Sequence, residues 1–359
     1  MKESCKYLRL LLSAIIMFTG TTMFAQKDIN WSKYPEKIMG LTQQGIEKTE
    51  HIIEKYLDEK DTVYVTPNKY RLTLMTQYTN SYEYYRFSAQ SHNSTQSITL
   101  APENCDKLGF YVGWKWIFLG WSFDIGENGA DKDWNFSFYT SKVGVDLFYR
   151  ERNDGFKIRD LNGFIDKQGN TISNYSSRFD GISISQKGVN LYYIFNNKRF
   201  SYPAAYSQTT NQRISCGSFI LGLNYSEQSF RLDPSYFDIH IQKGMASELN
   251  FKKIKYKEFS INFGYSYNWV FAKDFLANIS LTPAIGYKDT KFRLQNGKDF
   301  INHINFDLIS RAALVYNNTR YFVGLSFVSH TYSYRKTGFS IVNGFGTLNV
   351  YTGINLFRD

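Results

Sequence analysis

Residues 259–269 read Phe-Ser-Ile-Asn-Phe-Gly-Tyr-Ser-Tyr-Asn-Trp. Phe259, Ile261, Phe263, Tyr265, Tyr267 and Trp269 share one parity, and Ser260, Asn262, Gly264, Ser266 and Asn268 share the other. A β-strand sends alternate side chains to opposite faces. This stretch therefore predicts a strand with one apolar, ring-ended face and one small, polar face. The pattern returns at 274–287, 303–316, 321–327 and 348–356. These segments are about twice as long as an ordinary strand of about five or six residues, and long enough for a tilted strand crossing a bilayer, which needs about 9–11. A soluble sandwich would need a second apolar sheet to cover each apolar face.

Working outward, weaker alternation predicts strands at 69–78, 83–100, 107–114, 117–125, 134–150, 180–195 and 210–225. Parity changes between Phe138 and Val143, which suggests a bulge in a single strand over 134–150. The total is twelve strands, within a range of ten to fourteen. Every backbone polar group in hydrocarbon needs a partner, so the sheet must close. The expected fold is all-β, a transmembrane antiparallel β-barrel. With the N-terminus in the periplasm, the connections 101–106, 126–133, 196–209, 271–273 and 317–319 fall on that side. The connections 79–82, 115–116, 151–179, 226–257, 288–302 and 334–344 fall outside. Outer-membrane barrels have short periplasmic turns and longer outer loops. Segment 196–209 is too long for its side, and 79–82 and 115–116 are too short for theirs.

Composition agrees. Of 359 residues, 43% are hydrophobic and 18% aromatic, yet mean hydropathy is −0.39. A polytopic helical membrane protein is excluded, because each span needs roughly 20 apolar residues, and the abundance of aromatics argues against disorder. Alternation explains the mixture, since rings on one face are diluted by Ser, Asn and Gly on the other. Lys2, Lys6 and Arg9, the apolar run Leu8 to Phe18, and Ala25 before Gln26 predict a cleaved signal peptide over 1–25. Its removal takes three cations and Glu3 from a charge of +10, leaving 10 − 3 + 1 = +8. A periplasmic segment over 26–60 then carries an amphipathic helix at 36–58, with Ile46, Ile53 and Leu57 on one stripe. The barrel occupies 61–359. The expected location is the outer membrane of a Gram-negative bacterium.

Catalytic patterns are absent: the five His have no metal-ligand spacing, and there is no P-loop, GxSxG or GxGxxG. No catalytic residue, metal or cofactor is expected. His303, Asp307 and Arg311 have lumen-facing parity, where an Asp307–Arg311 pair would either fill a narrow barrel or line a channel. His330 has the same inward parity. Segment 196–209 carries Lys198, Arg199, Phe200, Tyr202 and Tyr206 around Pro203, a mixture suited to filling the barrel mouth or meeting a periplasmic protein partner. Lys252, Lys253, Lys255 and Lys257 form a basic run on the outer side, where lipid and lipopolysaccharide phosphates are natural partners. No nucleic-acid partner is expected. Export would allow a disulfide between Cys105 and Cys216, both placed by this reading at the periplasmic end.

Asn196 to Gln208, followed by Gln212, Ser215 and Gly217-Ser218, resembles the most specific segment of a bacterial family. Asp61 to Val65, the hairpin from Leu108 to Phe123, and Gly144 to Tyr149 match it further. The family is one of exported proteins known only as a domain of unknown function (number four-four-two-one), and the resemblance spans residues 58–357. It implies an outer-membrane barrel and supplies no catalytic residues. The functional expectation is a non-enzymatic outer-membrane barrel, a small pore or a structural, partner-binding envelope component. The alternatives are a lipid- or glycolipid-modifying enzyme and a secreted, soluble, lipocalin-like binding protein.

Overall fold

The computed structural model describes residues 56–90, 94–102, 106–115, 117–125, 132–153, 155–165, 168–172, 175–294, 297–336 and 338–358. The signal peptide and, apart from 56–58, the helix expected over 36–58 lie outside these residues. In chain order the strands among them are β1 (Val65–Pro67), β2 (Tyr70–Gln90), β3 (Thr95–Pro102), β4 (Asp106–Trp114), β5 (Ile117–Asp124), β6 (Lys132–Tyr139), β7 (Val143–Arg152), β8 (Phe156–Asn162), β9 (Ser177–Phe179), β10 (Ile182–Ile194), β11 (Thr210–Gln212), β12 (Cys216–Leu232), β13 (Phe251–Ala272), β14 (Phe275–Leu294), β15 (Gly297–Asn317), β16 (Tyr321–Lys336) and β17 (Phe339–Arg358). Two short helices join them, α1 (Pro203–Tyr206) and α2 (Ile239–Gly244).

Twelve strands close an antiparallel barrel in the order β2-β4-β5-β6-β7-β10-β12-β13-β14-β15-β16-β17. The seam is long: β17 pairs with β2 from Phe339↔Ala89 to Arg358↔Tyr70. Closure leaves no exposed sheet edge in the membrane. The outer half of β2 also pairs with β3, which continues to β8 and β9 as a small extension.

The alternation in 259–269 is realised residue by residue. Phe259, Ile261, Phe263, Tyr265, Tyr267 and Trp269 point outward, 40–57% exposed, while Ser260, Asn262, Ser266 and Asn268 are buried in the lumen. From Phe259 to Trp269 the belt is roughly 25 Å tall for a tilted strand, the height of the apolar band in membrane barrels.

The count of twelve holds, but two of its parts are corrected. Residues 69–78 and 83–90 are one strand, so 79–82 is no connection, and residues 95–102 turn away as β3. Residues 134–150 are two strands, β6 and β7, with a turn rather than a bulge at 140–142: Thr140 N–H and hydroxyl both donate to Val143 O. One strand was lost and one gained. The sides of the early connections reverse as a result. The hairpin end at Trp114 and Ile117 joins 140–142, 273–274 and 318–320 at the short-turn end, while β5 ends and β6 begins at the loop end. This removes both short-connection anomalies.

Strands β12 to β17 also run further than their alternating segments in sequence, up to 22 residues in β13, so most of 288–302 and 334–344 is strand. Gly344-Phe345-Gly346 is interior to β17, and the basic run from Lys252 lies on β13 rather than in the connection 226–257. The cause is an inversion of polarity. On β13 the outward residues change from Phe259 to Lys257, Lys255 and Lys253, and the inward ones from Ser260 to Tyr256 and Ile254. Below the inversion the strands face lipid; above it they face water and bury apolar side chains inside.

Candidate functional site: the lumen and its two seals

The loop end of the lumen is filled by that apolar interior. Phe87 and Tyr85 (β2), Phe156 (β8), Phe230 (β12) and Phe251 (β13) are each at most 1% exposed and form one cluster with Ile241 of α2. Phe230 lies edge-on to Tyr85 at 5.3 Å and to Phe87 at 6.1 Å, a favoured ring geometry.

The turn end is sealed differently. Segment 195–215, which is too long for a simple turn, folds back into the barrel mouth. Pro203 sits in the first turn of α1, where its missing N–H costs nothing. Ala204 and Ala205 pack on Leu276, Ala313, Val315, Phe322 and Tyr351 of the wall, and Phe200 and Tyr202 pack on Tyr192, Ile194 and Ile220. Gln208 takes a positive φ of 63° to end the helix. Its amide donates to Tyr351 Oη at 3.1 Å, and Asn317 Nδ2 donates to its carbonyl at 3.1 Å.

Gln212 is the hub of the plug. Its Oε1 accepts from Ser201 N–H at 2.8 Å and Asn268 Nδ2 at 3.0 Å, while its Nε2 donates to Arg199 O at 2.6 Å. Asn268 Nδ2 also donates to Ser201 O at 2.8 Å. Tyr206 Oη donates to Asn278 Oδ1 at 2.7 Å, and Arg311 Nη1 donates to Tyr202 Oη at 2.9 Å. The Arg311 guanidinium also lies 5.8 and 5.9 Å from the Tyr202 and Tyr206 ring centres, close enough for cation–π attraction.

An N-terminal strap holds the plug. β1 pairs with β11, Asp61 N–H donates to Lys198 O at 2.8 Å, and Arg213 N–H donates to Tyr64 O at 2.7 Å. Lys198 pairs with Glu59 at 2.8 Å and Arg199 with Asp61 at 3.7 Å. Charges stay on the rim while rings go inside.

Between the seals lies a polar chamber of about 310 Å³, lined by Asp146, Glu258, Asp307, Arg311, Arg150 and His330 among others. Asp146 accepts from Ser137 Oγ at 2.8 Å and Tyr139 Oη. Glu258 and Lys288 form a fully buried pair at 3.3 Å.

Asp307 and Arg311 both point into the lumen, but no ion pair joins them. Asn305 Nδ2 donates to Asp307 at 2.6 Å, and Arg311 turns to the plug. His330 also faces inward and stacks on Phe345 at 4.6 Å. The side chain of His303 lies outside the described residues. So does the Cys105–Cys216 pairing, because Cys105 does; its chain neighbour Asp106 opens β4 on the loop side, whereas Cys216 opens β12 on the turn side. Among the described residues no cluster of three or more His, Cys, Asp or Glu is spaced to hold a metal. Sequence reasoning missed Gln212 and Asn268 as a pair, although Gln212 stood in the quoted motif.

These features define a closed transmembrane β-barrel with a hydrogen-bonded plug at one mouth and an apolar cap at the other. The chain belongs to the family designated domain of unknown function DUF4421, whose family model matches residues 59–355. A search of curated proteins finds no match. Solved structures to which the chain is similar include the outer membrane protease OmpT from Escherichia coli (9% identity, 81% of this chain and 98% of that chain covered, TM-score 0.39). Others are the beta domain of the Bordetella autotransporter BrkA (9%, 80% and 100%, 0.35) and the translocator domain of the autotransporter NalP from Neisseria meningitidis (6%, 88% and 98%, 0.33). Scores this low add nothing to the strand pairing, which establishes the barrel by itself.

Proposed function

We propose that the protein is a non-enzymatic outer-membrane barrel, exported through a cleaved signal over 1–25, that is closed and acts as a structural or partner-binding component of the envelope. The observation carrying this reading is the double seal: the plug built from Phe200, Tyr202 and α1 fills one mouth, and the ring-rich cap fills the other. A small pore needs a continuous aqueous path. A lipocalin-like protein needs an apolar cavity inside a polar exterior, the reverse of the arrangement at 259–269. A lipid-modifying enzyme needs chemistry that lipid can reach, whereas His330 faces the lumen. Planar-bilayer recording of the purified protein is the test. The expected result is a silent membrane after insertion is verified; reproducible unitary conductance steps would replace this reading with the pore.

A further inference from the structure

The outward side of the polarity inversion is strongly asymmetric around the barrel. Cross-strand register places Lys187, Glu227, Lys257 and Asp289 in one row over β10, β12, β13 and β14. Ser229, Lys255 and Lys291 form the next row, and Arg231 and Lys253 the one beyond. Directly beneath these rows lie Tyr225, Phe259 and Tyr287, 38–51% exposed, at the upper edge of the lipid-facing belt. Glu227 is held between Lys187 at 3.2 Å and Lys257 at 3.4 Å. Among the described side chains, six cations thus face two carboxylates. On β16, β17 and β2 the outward rows carry less charge: Ser329, Gly346 and Tyr82 form one, Thr331, Gly344 and Tyr84 the next, and Ser333, Val342 and the single cation Arg86 the one beyond. There Tyr82 lies across Gly346 and donates to Ser329 at 2.6 Å.

We propose that the β10–β14 face is a docking site for the phosphorylated headgroup of an outer-leaflet glycolipid of the lipopolysaccharide type. Cations lie about 5 Å apart across strands and about 7 Å apart along them, a two-dimensional array suited to more than one phosphate on a single headgroup. The rings below it meet acyl chains, and the cations above meet headgroup oxygens, so one molecule satisfies both. Clustered Lys and Arg just beyond a membrane boundary are attracted to anionic lipid in this manner. A soluble anion would use the cations alone and leave the belt irrelevant. The inference rests on the membrane reading of the barrel and not on its closure, so a conducting protein would leave it intact.

The test is binding of bis-phosphorylated lipid A, and of its dephosphorylated form, to the folded full chain in neutral detergent, read by native mass spectrometry. The K253Q/K255Q/K257Q/K291Q variant should bind bis-phosphorylated lipid A at least about ten-fold more weakly than wild type, with the difference shrinking as salt screens the charges. Dephosphorylated lipid A should bind both alike, and K69Q/K115Q at the turn end should match wild type. Heat-modifiable gel migration verifies folding. Should the quadruple variant misfold, E227Q/D289Q, which removes only the opposing carboxylates, should bind more tightly than wild type. Equal binding by wild type and the variant that folds, indifference to the phosphates, or displacement by inorganic phosphate would overturn the proposal.

Discussion

The two ends of the lumen are closed by opposite chemistry. The loop-end cap is a cluster of rings and aliphatic side chains whose cohesion is non-directional. The turn-end plug is held by hydrogen bonds in which Gln212, Asn268, Tyr206 and Gln208 each meet a particular partner. An apolar cap tolerates substitution so long as volume is kept. A polar network does not, because each lost partner strands a buried donor or acceptor. The quoted family-like residues from Asn196 to Ser218, together with Asp61 to Val65, map onto the plug and its strap. The precision of this protein is therefore concentrated at the turn end.

The largest effect should come from emptying the cap. Phe230→Ala removes a fully buried ring that touches Tyr85, Phe87 and Tyr256, and should cost about 3–5 kcal/mol in guanidinium unfolding from lipid vesicles. Tyr202→Ala comes next. It removes the hydroxyl that accepts from Arg311 and one of the two rings under that guanidinium, and a hydrogen bond to a charged group contributes about 1.5–3 kcal/mol. Tyr202→Phe should recover only the ring's share. If Tyr202→Ala is neutral, water replaces the phenol without loss and the plug is looser than its hydrogen bonds indicate.

The sharpest contrast is between two swaps that nearly conserve volume. Phe230→Leu in the cap should cost less than about 1.5 kcal/mol after repacking. Gln212→Met in the plug should cost about 1–3 kcal/mol, because Ser201 N–H and Arg199 O lose their partner while the volume hardly changes. Hydrogen exchange at Ser201 and along β11 would localise the damage. Equal tolerance at both sites would break the comparison between the ends.

The barrel was legible because lipid imposes a strict period of two on residues such as Phe259 to Trp269. The loop-end extension was not, because the same strand inverts its polarity at Glu258. A reading that follows the apolar face outward stops at Phe259, and the inward side chains Tyr256 and Ile254 then look like loop residues. The 79–82 break arose similarly, where β2 passes from lipid to water between Tyr82 and the buried Tyr85. The plug was visible as an over-long turn mixing charge with rings around Pro203. Its pairing of Gln212 with Asn268 was not, since 56 residues separate them and period-two alternation puts Asn268 on the inward face without saying which residue meets it.

The smallest effect should lie on the rim. Lys198 and Glu59 are each 59% exposed at the side chain despite their 2.8 Å contact. An exposed ion pair contributes about 0–1 kcal/mol, because water screens it and two long side chains lose freedom in forming it. Lys198→Ala should therefore leave unfolding nearly unchanged, and raising salt should not separate it from wild type. The backbone bond from Asp61 N–H to Lys198 O survives the substitution, as does the β1–β11 pairing. A loss of 2 kcal/mol or more, on the scale of ~0–1 kcal/mol expected of such pairs, would mean that the strap is clamped by its charges, and that the hydrogen-bonded interior of the plug is not what holds the turn end closed.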